Sequence, residues 1–137
     1  MVVVLIMGIL ASMSMPYYYK TIETSKATDS LALGQMYAAA YRMFQVDNPN
    51  TSLNGTIDYN CNSGNCNTSD FSGCRLIRCN YVAKQDTTNA SYTYSANNNG
   101  ISVRRISTGS PYDGWGYDFN LVGGCAPQGG APSCPKF

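Results

Sequence analysis

The chain opens with residues 1–19, MVVVLIMGILASMSMPYYY, and carries no charged side chain before Lys20. Ahead of the tyrosine run its only polar side chains are Ser12 and Ser14. In water such a segment must be buried or sit in lipid. It leads directly into a polar stretch that keeps helical signals, so the reading is one long helix, apolar all round in its first half and on one side in its second. The helix is expected to stop near Asp47, with Asn48-Pro49 as the breaker. A rod of that length, roughly 70 Å at about 1.5 Å per residue, cannot be covered by a domain of this size. Its apolar half must find lipid or other subunits.

In the second half, Leu33, Met36, Tyr37, Ala40, Tyr41 and Phe44 recur at helical spacing and form one broad apolar face, with Gln35, Arg42 and Gln45 opposite and Ala38 and Ala39 beside them. Traced backwards, this face meets Asp29 and Lys26, so the clean stripe begins only near Leu33. Lys20, Glu23, Lys26 and Asp29 alternate in sign just past the apolar half. Their simple reading is a solvated helix face, and their functional reading is contact between neighbouring helices. Gly8 and Pro16 both weaken a helix, one through backbone entropy and the other through its missing N–H.

The 137 residues suffice for one domain with a modest core. Charged residues are 12% and the net charge is +1, which leaves no electrostatic footprint for nucleic acid. There is no histidine, which removes the commonest general base and the commonest metal ligand together. No enzyme and no cofactor are expected. Arg104-Arg105 is an isolated basic pair, suited to a solvated strand or a subunit contact. Tyr17, Tyr18 and Tyr19 read as amphipathic rings packed among helices.

The six cysteines, Cys61, Cys66, Cys74, Cys79, Cys125 and Cys134, all follow the helix. An even number in a small chain with an export-like start reads as a disulfide framework in an oxidising compartment, with a zinc site as the rival reading. About fifteen connectivities exist for six cysteines. If residues 74–79 are extended, Cys74 and Cys79 stand roughly 16 Å apart, too far to bridge. The preferred set is Cys125–Cys134 with nested pairs Cys61–Cys79 and Cys66–Cys74.

Residues 49–73 show no period, and the cysteines are what can hold them. Asn50, Asn54, Asn67 and Asn89 each begin an Asn-x-Ser/Thr triplet, a chance match in so Asn-rich a chain. Four strands are expected: 75–84, with Ile77, Cys79, Tyr81 and Ala83 on one side; 91–95, with Tyr92 and Tyr94; 101–107, after the Asn99-Gly100 hairpin signal; and Trp115 to Leu121, with Tyr117 and Phe119 alternating. The fold class is therefore α+β. A long N-terminal helix lies on a four-stranded antiparallel sheet with disulfide-bonded loops. Residues 1–24 protrude and residues 25–137 form the head.

The apolar run with Gly8, then Leu10-Ala11, then small residues and Pro16, resembles the N-terminal segment of type IV pilins and type II secretion pseudopilins. The likeness covers about an eighth of the chain. Members of that family begin with an aromatic residue and a short stretch containing a Glu. This chain, aligned on Gly8 and Pro16, lacks about six such residues, and upstream residues are expected. Residues 1–15 are short of the roughly 20 apolar residues that span a bilayer.

The resemblance implies a helical filament of identical subunits with Val2, Val3, Val4, Leu5, Ile6, Ile9 and Leu10 in its core. It also implies an inner-membrane anchor before assembly, a prepilin peptidase and an assembly platform as partners, and a C-terminal disulfide loop shaping the exposed surface. Gly8 to Pro16 is the part expected to loosen on assembly. Asp113-Gly114-Trp115-Gly116 looks like the Asp-x-Trp-Gly segment of major pseudopilins, which bind calcium nearby. Asp113, Asp118 and Asn120 are the candidate oxygen ligands, although a calcium cage usually takes six or more. The expected role is a structural subunit of a bacterial surface pilus serving adhesion, motility or DNA uptake. A secretion pseudopilin and a tip adhesin are the alternatives.

Overall fold

A computed structural model describes residues 1–135. Helix α1, Val2–Asp47, is unbroken through Gly8 and Pro16. It ends where expected, with the Asn48 N–H still bonded to the Phe44 carbonyl and Pro49 following. Beyond it lie β1 (Gly55–Ile57), a 3-10 turn (Tyr59–Asn62), the short helix α2 (Arg75–Arg78), β2 (Tyr92–Asn97), β3 (Gly100–Arg105), β4 (Gly116–Asn120) and β5 (Cys125–Gln128). The strands form one antiparallel sheet in the order β1-β2-β3-β4-β5. The α+β layout of long helix on antiparallel sheet stands, with five strands in place of four.

Alternation along the strands decides which side meets the helix. Tyr92, Tyr94 and Ala96 of β2, Ile101, Val103 and Arg105 of β3, and Tyr117 and Phe119 of β4 are buried, and residues between them face outward. Against them α1 lays Ala27, Leu31, Gly34, Tyr37, Tyr41 and Phe44. The buried stripe thus starts ten residues before Leu33, at Glu23, and takes in Ala38, while Leu33 and Met36 sit at its margin. Gly34 is where helix and sheet come closest. A Cβ there would stand 2.5 Å from the Phe119 ring and 2.9 Å from Val103. Tyr41 ties three parts together: its hydroxyl accepts from Leu53 N (2.9 Å) and donates to the Asn97 carbonyl (3.2 Å).

The strand expected over 75–84 is α2 and a tight turn. Leu76 and Ile77 are both buried, which alternation forbids, and Tyr81 N and Val82 N both return to the Leu76 carbonyl. Asn80 closes the turn at φ 63°. The disulfide pairing changes for the same reason. With 74–79 coiled rather than extended, the segments holding the two pairs run alongside each other, and the bridges are Cys61–Cys74 and Cys66–Cys79, both 13 residues apart, in place of the nested Cys61–Cys79 and Cys66–Cys74. Cys125 is joined to Cys134. The two-residue hairpin turn is Asn98-Asn99, and Gly100 pairs with Asn97 as the first residue of β3.

Candidate assembly surface

Every residue from 1 to 21 is exposed, and the first buried one is Glu23, two positions before the expected start of the head at 25. The last two residues of that expected head, 136–137, lie outside the described residues. Val2, Val3, Val4, Leu5, Ile6, Ile9 and Leu10 each keep between 50% and 72% of their surface open. Helix α1 contains a window apolar and long enough to cross a membrane by length and composition, and none of that window is buried. Its aliphatic hydroxyls need no water. Ser12 donates to the Ile9 carbonyl (2.8 Å), Ser14 to Leu10 (2.5 Å) and Thr21 to Tyr17 (2.9 Å). Such internal satisfaction is what a helix in hydrocarbon requires. Gly8 has no neighbour within 4 Å of a built Cβ, so nothing among the described residues asks for glycine there.

Where this stem meets the head, a buried carboxylate stands in the helix stripe. Glu23 receives two parallel hydrogen bonds from Arg105, Nε to Oε2 at 3.0 Å and Nη2 to Oε1 at 2.9 Å. Arg105 Nη1 bonds Asp113 Oδ1 at 2.6 Å, and Lys26 Nζ lies 3.7 Å from Glu23. The hydrogen bonds to Glu23 lead in holding the Arg105 guanidinium above its ordinary range, against the effect of burial. Asp113 also accepts from Thr108 N and Gly109 N, and those backbone bonds hold its carboxyl below the usual range. The loop 106–113 is therefore wrapped round one carboxylate and latched to the stem. Beside the latch, Pro16, Tyr19, Ile22, Pro111 and Tyr112 line an open groove of about 570 Å³.

Sequence reasoning missed this latch. In the sequence Glu23 falls in a run of alternating charges that reads as a solvated face, and Arg105 reads with Arg104 as one basic pair. Neighbouring residues of a strand point to opposite faces, so Arg104 turns outward to pair with Asp118 (2.8 Å) while Arg105 turns in. The 23–27–30–34 spacing on α1 was the available signal.

The calcium candidates are separated by the same alternation. Asp113 is committed to Arg105 beside the inner face, Asp118 to Arg104 on the outer face, and Asn120 Oδ1 accepts from Val122 N and Gly124 N. The three do not converge on a common point. Asp58, Cys61 and Cys74 do come together, but the two sulfurs are bonded to each other and Asp58 caps the 3-10 turn. The amides of Asn50, Asn54, Asn67 and Asn89 belong to exposed residues. No family model, no curated protein and no solved structure matches this chain.

Proposed function

We propose that the chain is the structural subunit of a type IV pilus-like filament, in which the stems of identical subunits sheathe one another and the heads form the outer wall. The observation that carries this reading is the contrast at Glu23: the buried core residues all come from Glu23 onward, and the uncharged helix of residues 2–19 before it contributes none. Treated as a cylinder about 10 Å across and roughly 28 Å long, the stem presents on the order of 900 Å², beyond the few hundred Å² that monomers leave open. Three disulfides and a membrane-competent helix fit an exported, anchored precursor. On this reading assembly exchanges lipid for sibling stems, so burial is kept as the subunit moves.

Removal of detergent from the purified full chain tests the proposal. Long filaments by electron microscopy are expected, and a dispersed monomer stable without detergent, with residues 1–19 intact, overturns it. Gly8 has no neighbour among the described residues and Pro16 only borders the open groove, and their proposed role is local loosening of the stem between them in the filament. Replacing both by Ala should keep that stretch helical. Filament geometry unchanged from wild type would remove the assignment.

A further inference from the structure

The first thirty residues of α1 carry four charged side chains, Lys20, Glu23, Lys26 and Asp29. Glu23 is held by Arg105, and Lys26 reaches back to Glu23. Lys20 and Asp29 have no ion pair or side-chain hydrogen bond among the described residues. Both are exposed in the single chain. The other charges on the helix lie beyond the reach of this pair, in its last two turns: Asp47 accepts from the Tyr81 hydroxyl, and Arg42, half-buried, lies against Gly123 at the β4–β5 turn.

Nine residues separate the two, which is about 13.5 Å of rise and, at 3.6 residues per turn, a half-turn of rotation, so they face opposite sides of the helix. One chain cannot bring them together. Two parallel copies offset by that rise can. Copies anchored by the same end run parallel, and the Lys20 of one then stands level with the Asp29 of the copy displaced toward the anchored end. Asp29 borders a hollow of about 310 Å³ between the helix and residues 89–94, with Lys26, Ser30, Tyr92 and Tyr94 on its walls; the Lys26 ammonium is turned to Glu23, which leaves Asp29 to receive an incoming ammonium on its alkyl arm. Sheathing by siblings makes the pairing necessary as well as available, because a cation shut away from water without a partner is costly.

We propose that Lys20 of one subunit pairs with Asp29 of the next, fixing parallel stems at an axial offset of about 13.5 Å. The inference rests on the filament reading and adds its register. Because the two groups occupy opposite faces, the contact is head-to-tail. Each copy uses one face toward one neighbour and the other face toward the next, a contact that propagates into an open helical assembly.

A zero-length carbodiimide cross-linker applied to the full chain tests this, since it joins an amine to a carboxylate only in direct contact. A Lys20–Asp29 cross-linked peptide is expected from pelleted polymer and not from detergent-dispersed monomer. Lys20→Asp or Asp29→Lys alone should lower the pelleted fraction about tenfold or more, and the two together should restore it. Head melting should change little in all three, because both side chains are exposed and neither makes an ion pair with the head among the described residues. Polymer that forms without this cross-link, or single reversals that pellet like wild type, overturns the pairing and leaves the filament reading intact. Failure of the wild-type chain to form any polymer overturns both.

Discussion

Between residues 2 and 21 every residue of helix α1 is exposed, whereas from Glu23 to Phe44 it contributes ten buried residues to the head. Hydrophobicity runs the other way: the open half is the more apolar, and the covered half buries a glutamate and a serine. The head uses its helix as one layer of a two-layer fold, and side-chain shape decides the fit there: Gly34 admits Phe119, and Tyr41 bonds loop and sheet. The stem has no shape to match within the chain, and its residues differ mainly in bulk. Stability should therefore reside in the head and association in the stem, each insensitive to changes in the other.

The largest effect expected from that division is on association. Leu5→Asp with Leu10→Asp puts two charges in the apolar half and should abolish polymer and detergent dependence together, at least a hundredfold in pelleting, with the melting temperature of the head unmoved. A parallel loss of head stability would break the comparison. Next comes Phe44→Ala, which removes a fully buried ring and should cost about 3–5 kcal/mol in denaturant unfolding. It should leave membrane partitioning of the intact chain unchanged.

The latch sits on the boundary between the two regions. Arg105→Met leaves Glu23 buried without its partner and should cost about 3 kcal/mol or more, while Glu23→Leu combined with Arg105→Met should recover most of that, as buried pairs replaced by apolar side chains often do. A double mutant cycle by urea unfolding reads the coupling. Losing the nine-residue Cys125–Cys134 loop closure by paired Ser substitution should cost about 2 kcal/mol.

The smallest effects follow pH. Asp113 is held below its ordinary range, so its contribution is present above the unfolded carboxylate pKa near 3.9 and is lost as pH falls through the lower folded value. Asp113→Asn should flatten that acid limb. Burial pushes Tyr37 up to about 12, so its neutral form stabilises the head below pH ~10, and this support disappears as pH rises from there toward 12. Tyr37→Phe should weaken that alkaline loss, read as melting temperature against pH.

Helix, breaker and sheet were legible because each rests on a short-range pattern: an uncharged run, Asn48-Pro49, and the Tyr-x-Tyr and Tyr-x-Phe alternations. Residues 75–84 were misread because Ile77, Cys79, Tyr81 and Ala83 imitate a strand's period, and only the covalent bracket from Cys61 and Cys66 makes a helix turn there the better fit. Strands β1 and β5 gave little to find. Thr56 and Ile57 bring one buried side chain, and Pro127 interrupts the other edge strand. The latch was invisible for a different reason. A charged residue on a buried stripe reads as a defect until its partner, 82 residues away, is placed opposite it.

Arg105 closes β3, and β3 is the middle strand of the five, with a hydrogen-bonded neighbour on each side. A pull on the stem therefore reaches the sheet, by way of Glu23, at its centre and not at an edge that could be peeled away. Traction on one end of such a molecule is spread over two flanking strands before any single seam has to carry it.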